Sequence, residues 1–143
     1  MLKKYVKNKE YILCNPQVRK INSTSNPELL RVRWTQDYLQ VDFGYPTNSI
    51  YINGGWVNFG AKAYVEDINT GKKYYLLDAI NIVLSPDKHE FDYNKERLFF
   101  TIRFAPVPFK TAVFNLFESD SRTANDFFYL GIEFNTSKLI EVL

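Results

Sequence analysis

Apolar and polar residues alternate along much of this chain with period two, the pattern of strands that turn one face to a core and the other to solvent. Over 98–104, Leu98, Phe100, Ile102 and Phe104 fall on one side and Phe99, Thr101 and Arg103 on the other. Over 38–43 the inward set is Leu39, Val41 and Phe43, against Tyr38, Gln40 and Asp42. Residues 29–35 place Leu30, Val32 and Trp34 inward, with Arg31, Arg33 and Thr35 outward. Residues 127–134 place Phe128, Leu130, Ile132 and Phe134 inward, with Phe127, Tyr129, Gly131 and Glu133 outward. Weaker runs predict strands at 10–14, 61–66, 73–77, 80–84 and 112–117, and 137–143 suits a last strand or a short helix.

Turn-forming residues separate these runs: Asn26-Pro27, Tyr45-Pro46-Thr47-Asn48, Asn53-Gly54-Gly55, Asn69-Thr70-Gly71 and Ser85-Pro86-Asp87. Asn69-Thr70-Gly71 predicts a hairpin joining 64–67 to 73–76, with Gly71 supplying the positive φ such a loop needs. Ala105-Pro106-Val107-Pro108 ends the strand at 98–104, because two prolines remove two ladder donors and hold the chain extended where it leaves the sheet. No helical period lasts beyond two turns. Seven to nine short strands at this spacing predict an all-β, antiparallel two-sheet sandwich or a small barrel.

Composition agrees. A length of 143 residues, 45% hydrophobic, supports one domain with a core of its own, and no repeat or linker divides 1–143. The 12 Phe and 10 Tyr favour a pleated surface over helices. No apolar run approaches the roughly 20 residues of a spanning helix, so membrane insertion is not expected. The net charge of +2 hides an asymmetry: residues 1–33 carry +6 and the remainder −4, with residues 1–9 reading as a basic arm. That balance does not predict a nucleic-acid partner. Cys14 is the single cysteine and makes no intramolecular disulfide. Met1-Leu2-Lys3-Lys4 has the charge of a signal-peptide start, but Tyr5 to Glu10 lacks the apolar stretch that should follow. A cytoplasmic location is therefore expected ahead of export, unless a leader was removed.

Recognisable catalytic chemistry is missing. There is no phosphate-cradling loop, no H-E-x-x-H and no G-x-S-x-G, and His89, the one histidine, sits in a polar loop at 85–90. No cofactor, metal or catalytic residue is predicted. Carboxylates alone are numerous enough to form a pair: Asp37 and Asp42, Glu66 and Asp67, and Glu118, Asp120 and Asp126 around the loop at 118–126. All lie at strand ends and turns, where soluble β proteins place acids. The last three would suit calcium only without the Asp/Asn ladder of an EF-hand.

Aromatic residues left outside the expected core are the candidate contacts. Phe99, Phe127 and Tyr129 are assigned outward, Tyr74 and Tyr75 add to them, and Tyr51 and Trp56 lie in the loop-rich stretch 45–60. Acidic neighbours at 118–133 would repel a phosphate backbone, which leaves structural cover or a protein interface as the expected use. A carbohydrate platform built on Tyr51 and Trp56 is the alternative.

The succession Tyr38-Leu39-Gln40-Val41-Asp42-Phe43, Asp67-Ile68-Asn69-Thr70-Gly71-Lys72-Lys73-Tyr74, Phe99-Phe100-Thr101-Ile102-Arg103-Phe104-Ala105-Pro106-Val107-Pro108, Phe114-Asn115-Leu116-Phe117-Glu118 and Phe127-Phe128-Tyr129-Leu130-Gly131-Ile132 resembles a group of immunoglobulin-like β-sandwich domains of Bacteroidetes-type bacteria. The resemblance spans 38 to 134 and implies a two-sheet sandwich with a binding or regulatory role. It brings no catalytic residues. The expectation is a non-enzymatic module that binds a protein partner or forms a homodimer.

Overall fold

The computed structural model describes residues 10–21, 27–46, 55–57, 59–82, 84, 87, 89–91, 97–108, 113–119, 127–133 and 140–142. Among them it is all β. The strands are β1 (Glu10–Cys14), β2 (Gln17–Ile21), β3 (Glu28–Trp34), β4 (Leu39–Pro46), β5 (Gly55–Val57), β6 (Tyr64–Asp67), β7 (Lys73–Ile80), β8 (His89–Phe91), β9 (Arg97–Phe104), β10 (Val113–Phe117), β11 (Phe128–Glu133) and β12 (Ile140–Val142). Ten of them form one antiparallel sheet in the order β12-β1-β3-β4-β9-β7-β6-β10-β11-β2, and β5 pairs with β8 separately. A sheet of ten strands thus replaces the expected seven to nine.

The sheet curls until its inner face closes on itself. Phe43 of β4 and Tyr129 of β11 are five strands apart, about 24 Å across a flat sheet, yet their ring centroids are 5.6 Å apart. The curl turns at β7, whose first residues pair with β6 and whose last pair with β9. At the other side, the chain leaves β1 through Asn15, which has a φ of 48° and donates its N–H to the Leu30 carbonyl, and continues as the distant edge strand β2. Within the curl lies one apolar core. Phe43 stacks on Phe100 at 5.1 Å, Phe59 fills the space beside both, and Leu39, Val41, Ile102, Phe104, Phe114, Leu116 and Ile132 complete it.

The alternation at β4 and β9 holds for the inward set: Leu39, Val41, Phe43, Leu98, Phe100, Ile102 and Phe104 are all buried, and of the outward set Gln40 is buried as well. In β3, β7 and β11 a bulge interrupts it. The register of β10 against β11 slips between Phe114 and Leu116, opposite Gly131, whose φ is 65° and whose N–H donates to Asn115 Oδ1. One extra residue there reverses the faces of the strand before it. Tyr129 therefore points into the core at 1% exposure, and Phe128 and Leu130, assigned inward by simple alternation, are half-buried. A bulge at Leu30 similarly leaves Leu29 buried opposite Phe43 and turns Leu30 to the outer face. The third, at Leu77, falls where β7 changes partners; β7 takes in the run expected at 73–77 and ends at Ile80, so the separate strand expected at 80–84 is not found among the described residues, where Leu84 makes an isolated bridge to Phe59.

The hairpin at Asn69-Thr70-Gly71 forms as predicted. Gly71 has a φ of 74° and donates to the Asp67 carbonyl, while Asp67 Oδ1 accepts from the Asn69 N–H. The C-terminal run supplies a strand, β12. The polar stretch ending in His89 and Glu90 leads into a strand rather than remaining a loop, since both pair within β8. Unforeseen from alternation is β2, a mostly exposed edge whose Arg19 and Lys20 discourage pairing with other chains.

A second aromatic group lies on the outer face. Tyr75, Tyr64, Phe117 and Phe128 are direct cross-strand neighbours over β7, β6, β10 and β11, with successive ring centroids 5.6, 5.5 and 6.4 Å apart. Tyr64 and Phe117 are buried in this row, with Lys73 Nζ 4.8 Å from the Tyr64 ring centroid. Such pairs are the units that stabilise a sheet.

Candidate interaction site

Five of the aromatic contact candidates have described side chains, Tyr75 in the outer row being one, and they are not brought together. Phe99 stands on the outer face of β9 and is 54% exposed. Phe127 is half-buried against the core and joined to Glu118, whose Oε1 accepts its N–H at 2.6 Å. Tyr129 and Tyr74 belong to the core, which corrects their outward assignment. The Tyr129 hydroxyl donates to the Pro27 carbonyl, and the bulge at Gly131 is the reason it faces inward. Tyr74 precedes the bulge in β7 and shares the inner face with Val65, its partner across β6. Tyr51 lies outside the described residues. Trp56 occupies the middle of β5 opposite Glu90, and its side chain lies outside them also.

Around Phe99 the outer face of β3, β4, β9 and β7 has two different halves. One is a polar ladder. Arg31 Nε donates to Asp42 Oδ2 at 2.7 Å, Thr101 and Gln40 donate to Asp42 Oδ1 at 2.6 and 3.1 Å, and Arg103 lies 4.7 Å from the Tyr38 ring centroid with Asp78 at 3.7 Å. Beside β4, Arg33 donates to Glu10 at 2.7 Å. That hydrogen bond holds the Arg33 guanidinium above its ordinary pKa, against the opposing effect of burial. These contacts leave the ladder's charges mutually neutralised.

The other half is apolar. Phe99 lies across Gly44, where a Cβ would come within 3.3 Å of both Phe99 Cε1 and Leu30 Cδ1. Ile80 of β7, 45% exposed, completes the apolar side of a groove of 540 Å³ that Arg31, Asp42 and Thr101 of the ladder also line and that Cys14 and Asn81 border. Asn81, at a φ of 64°, anchors its floor by donating to the Phe99 carbonyl at 2.6 Å. Phe99 is thus an apolar ridge on a fixed strand.

No family model, curated protein or solved structure matches this chain. Three of the candidate carboxylates act as acceptors within the fold: Asp42 in the ladder, Asp67 in the hairpin and Glu118 on Phe127. Asp120 and Asp126 lie outside the described residues. Among the described residues no three His, Cys, Asp or Glu side chains converge as metal ligands. Cys14 is exposed at the groove border.

Sequence reasoning identified Phe99 but missed Leu30, Gly44 and Ile80 as its neighbours. Leu30 was hidden by the bulge. Gly44 carried a signal, since a glycine inside a strand marks a place where another group approaches closely.

Proposed function

We propose that this protein is a non-enzymatic interaction module of immunoglobulin-like sandwich type, akin to the bacterial domains its sequence resembles, and that it docks a second copy of itself through the Phe99 face. The exchange of partners along β7, from β6 to β9, and the contact of Phe43 with Tyr129 across the curl support the sandwich reading. The engagement of Asp42, Asp67 and Glu118 as structural acceptors supports the non-enzymatic one.

The observation that carries the docking is Phe99 itself. A large ring 54% exposed on a strand of otherwise perfect alternation costs solubility without serving the core. A second copy suits the face because Arg31 and Asp42 beside the ridge are paired with each other, so a two-fold arrangement of like faces leaves no charge without its partner. Size sets the strength. Eight residues of β9 by four strands span roughly 27 Å by 20 Å, about 500 Å² per copy, below the usual 800 Å² of a stable interface. The dimer is weak and concentration-dependent. The carbohydrate alternative rests on Tyr51 and Trp56, whose side chains lie outside the described residues, and the enclosure of Tyr74 and Tyr129 removes only two further aromatic contacts from it.

Sedimentation velocity across a wide concentration range tests this. The wild type should shift towards dimer at high concentration, and Phe99→Asp should stay monomeric with a stability change within about 0.5 kcal/mol, as for an exposed site. A wild type monomeric throughout, or an unaffected dimer in Phe99→Asp, contradicts the reading.

A further inference from the structure

At one open end of the curl a second hollow, also 540 Å³, lies between β1, the β3–β4 turn, the start of β7 and the segment after β9. Its apolar walls come from Tyr11, Trp34, Tyr74 and Pro108, and its polar groups include Gln36 and Lys72. This volume is in the range of small-molecule sites, which favour the mouths of curled sheets and combine apolar walls with few polar groups.

The geometry points to a binding site for a small organic anion with an apolar, preferably aromatic, body. Lys72 is the one charged side chain among the described residues lining the hollow, and its Nζ stands 5.4 Å from the Tyr74 ring centroid, at the rim of the aromatic wall. An ammonium beside apolar surface selects an anionic group attached to an apolar body: the body leaves water against Tyr11, Trp34 and Pro108 while the charge meets Lys72. Asp67 acts on Tyr74 but does not line the hollow, and one of its oxygens holds the Asn69 N–H. The walls are preformed. Trp34 is 3% exposed and paired in register with Tyr11, and Thr35 Oγ1 accepts the N–H groups of Asp37 and Tyr38, fixing the turn that carries Gln36. Binding would therefore spend little on ordering the site. This inference is independent of self-association through Phe99, which lies on the outer face.

Two dyes of matched shape test it: anilinonaphthalene sulfonate, an aromatic anion, and phenylnaphthylamine, the same body without the sulfonate. Fluorescence titration of the folded protein should show saturable, one-to-one binding of the sulfonate. Lys72→Glu, a substitution of an exposed turn residue, should weaken it about tenfold while changing the neutral dye less than about twofold, in keeping with one attraction replaced by a repulsion. Phe99→Asp should leave both dyes unaffected. No saturable binding, an equal loss of both dyes in Lys72→Glu, or loss of the sulfonate in Phe99→Asp would each overturn the assignment. Thermal melts of both variants confirm that the fold is intact.

Discussion

Gly131 decides which side of β11 faces the core. Its φ of 65° lies where L side chains are strained, and a Cβ there would come within 2.9 Å of Arg19 Cβ on β2. Gly131→Ala should destabilise the protein by about 1–2 kcal/mol in denaturant unfolding, through the backbone alone, with any shift of β2 adding to it. A change under a few tenths would mean that the bulge relaxes freely. Tyr74 makes a second residue-scale prediction. Burial, with a smaller effect of Asp67, raises its phenol above the ordinary value of 10.0, so the folded protein holds that proton more tightly than the unfolded chain. The resulting stability is present in full below about pH 10 and is lost as pH rises through the folded pKa. Tyr74→Phe has no such proton to lose. Its unfolding free energy should decline less steeply than that of the wild type above pH 10, and parallel slopes would contradict the assignment.

At the scale of elements, the outer aromatic row divides its contribution unevenly. Phe117 is buried between Tyr64 and Phe128, whereas Tyr75 at the end of the row is 50% exposed. Phe117→Ala should cost about 3–5 kcal/mol, as for a core aromatic, and Tyr75→Ala about 1 kcal/mol, as for one cross-strand pair. Equal costs would show that the row does not act as a packed unit. The same elements show what could be read from the chain. Strands β4 and β9 were legible in facing because they carry no bulge, and they hold Phe99 on the outer face as alternation requires, although β4 runs on through Tyr45 and Pro46, expected as a turn, which pair with Leu98 and Arg97. Strands β3 and β11 were legible in position but half wrong in facing, since a period-two pattern has no symbol for an extra residue. Gly131 inside the pattern was the available sign of it. In β3 the bulged residue is Leu30, as apolar as its buried neighbour, and nothing in the local sequence distinguishes the two.

Over the whole molecule, the bulges and the exchange of partners at β7 turn one sheet into a closed core, and the outer surface is what remains for function. The ladder from Arg31 through Asp42, Gln40 and Arg103 satisfies its own charges, so it offers little binding energy and mainly borders the apolar half. In the proposed docking, attraction between copies comes from Phe99, Ile80 and Leu30. Long-range pairing was not readable in the sequence: the aromatic excess indicated a sheet, but only the order of ten strands shows which aromatic residues the curl encloses and which it leaves outside. The most direct measurement is a dilution series of amide spectra on nitrogen-15-labelled protein. The amides of Leu30, Gly44, Ile80 and Phe99 should shift together with concentration while those of β2 and β11 stay fixed. Shifts confined to the sheet edges β2 and β12, or none at any concentration, would contradict docking through the Phe99 face.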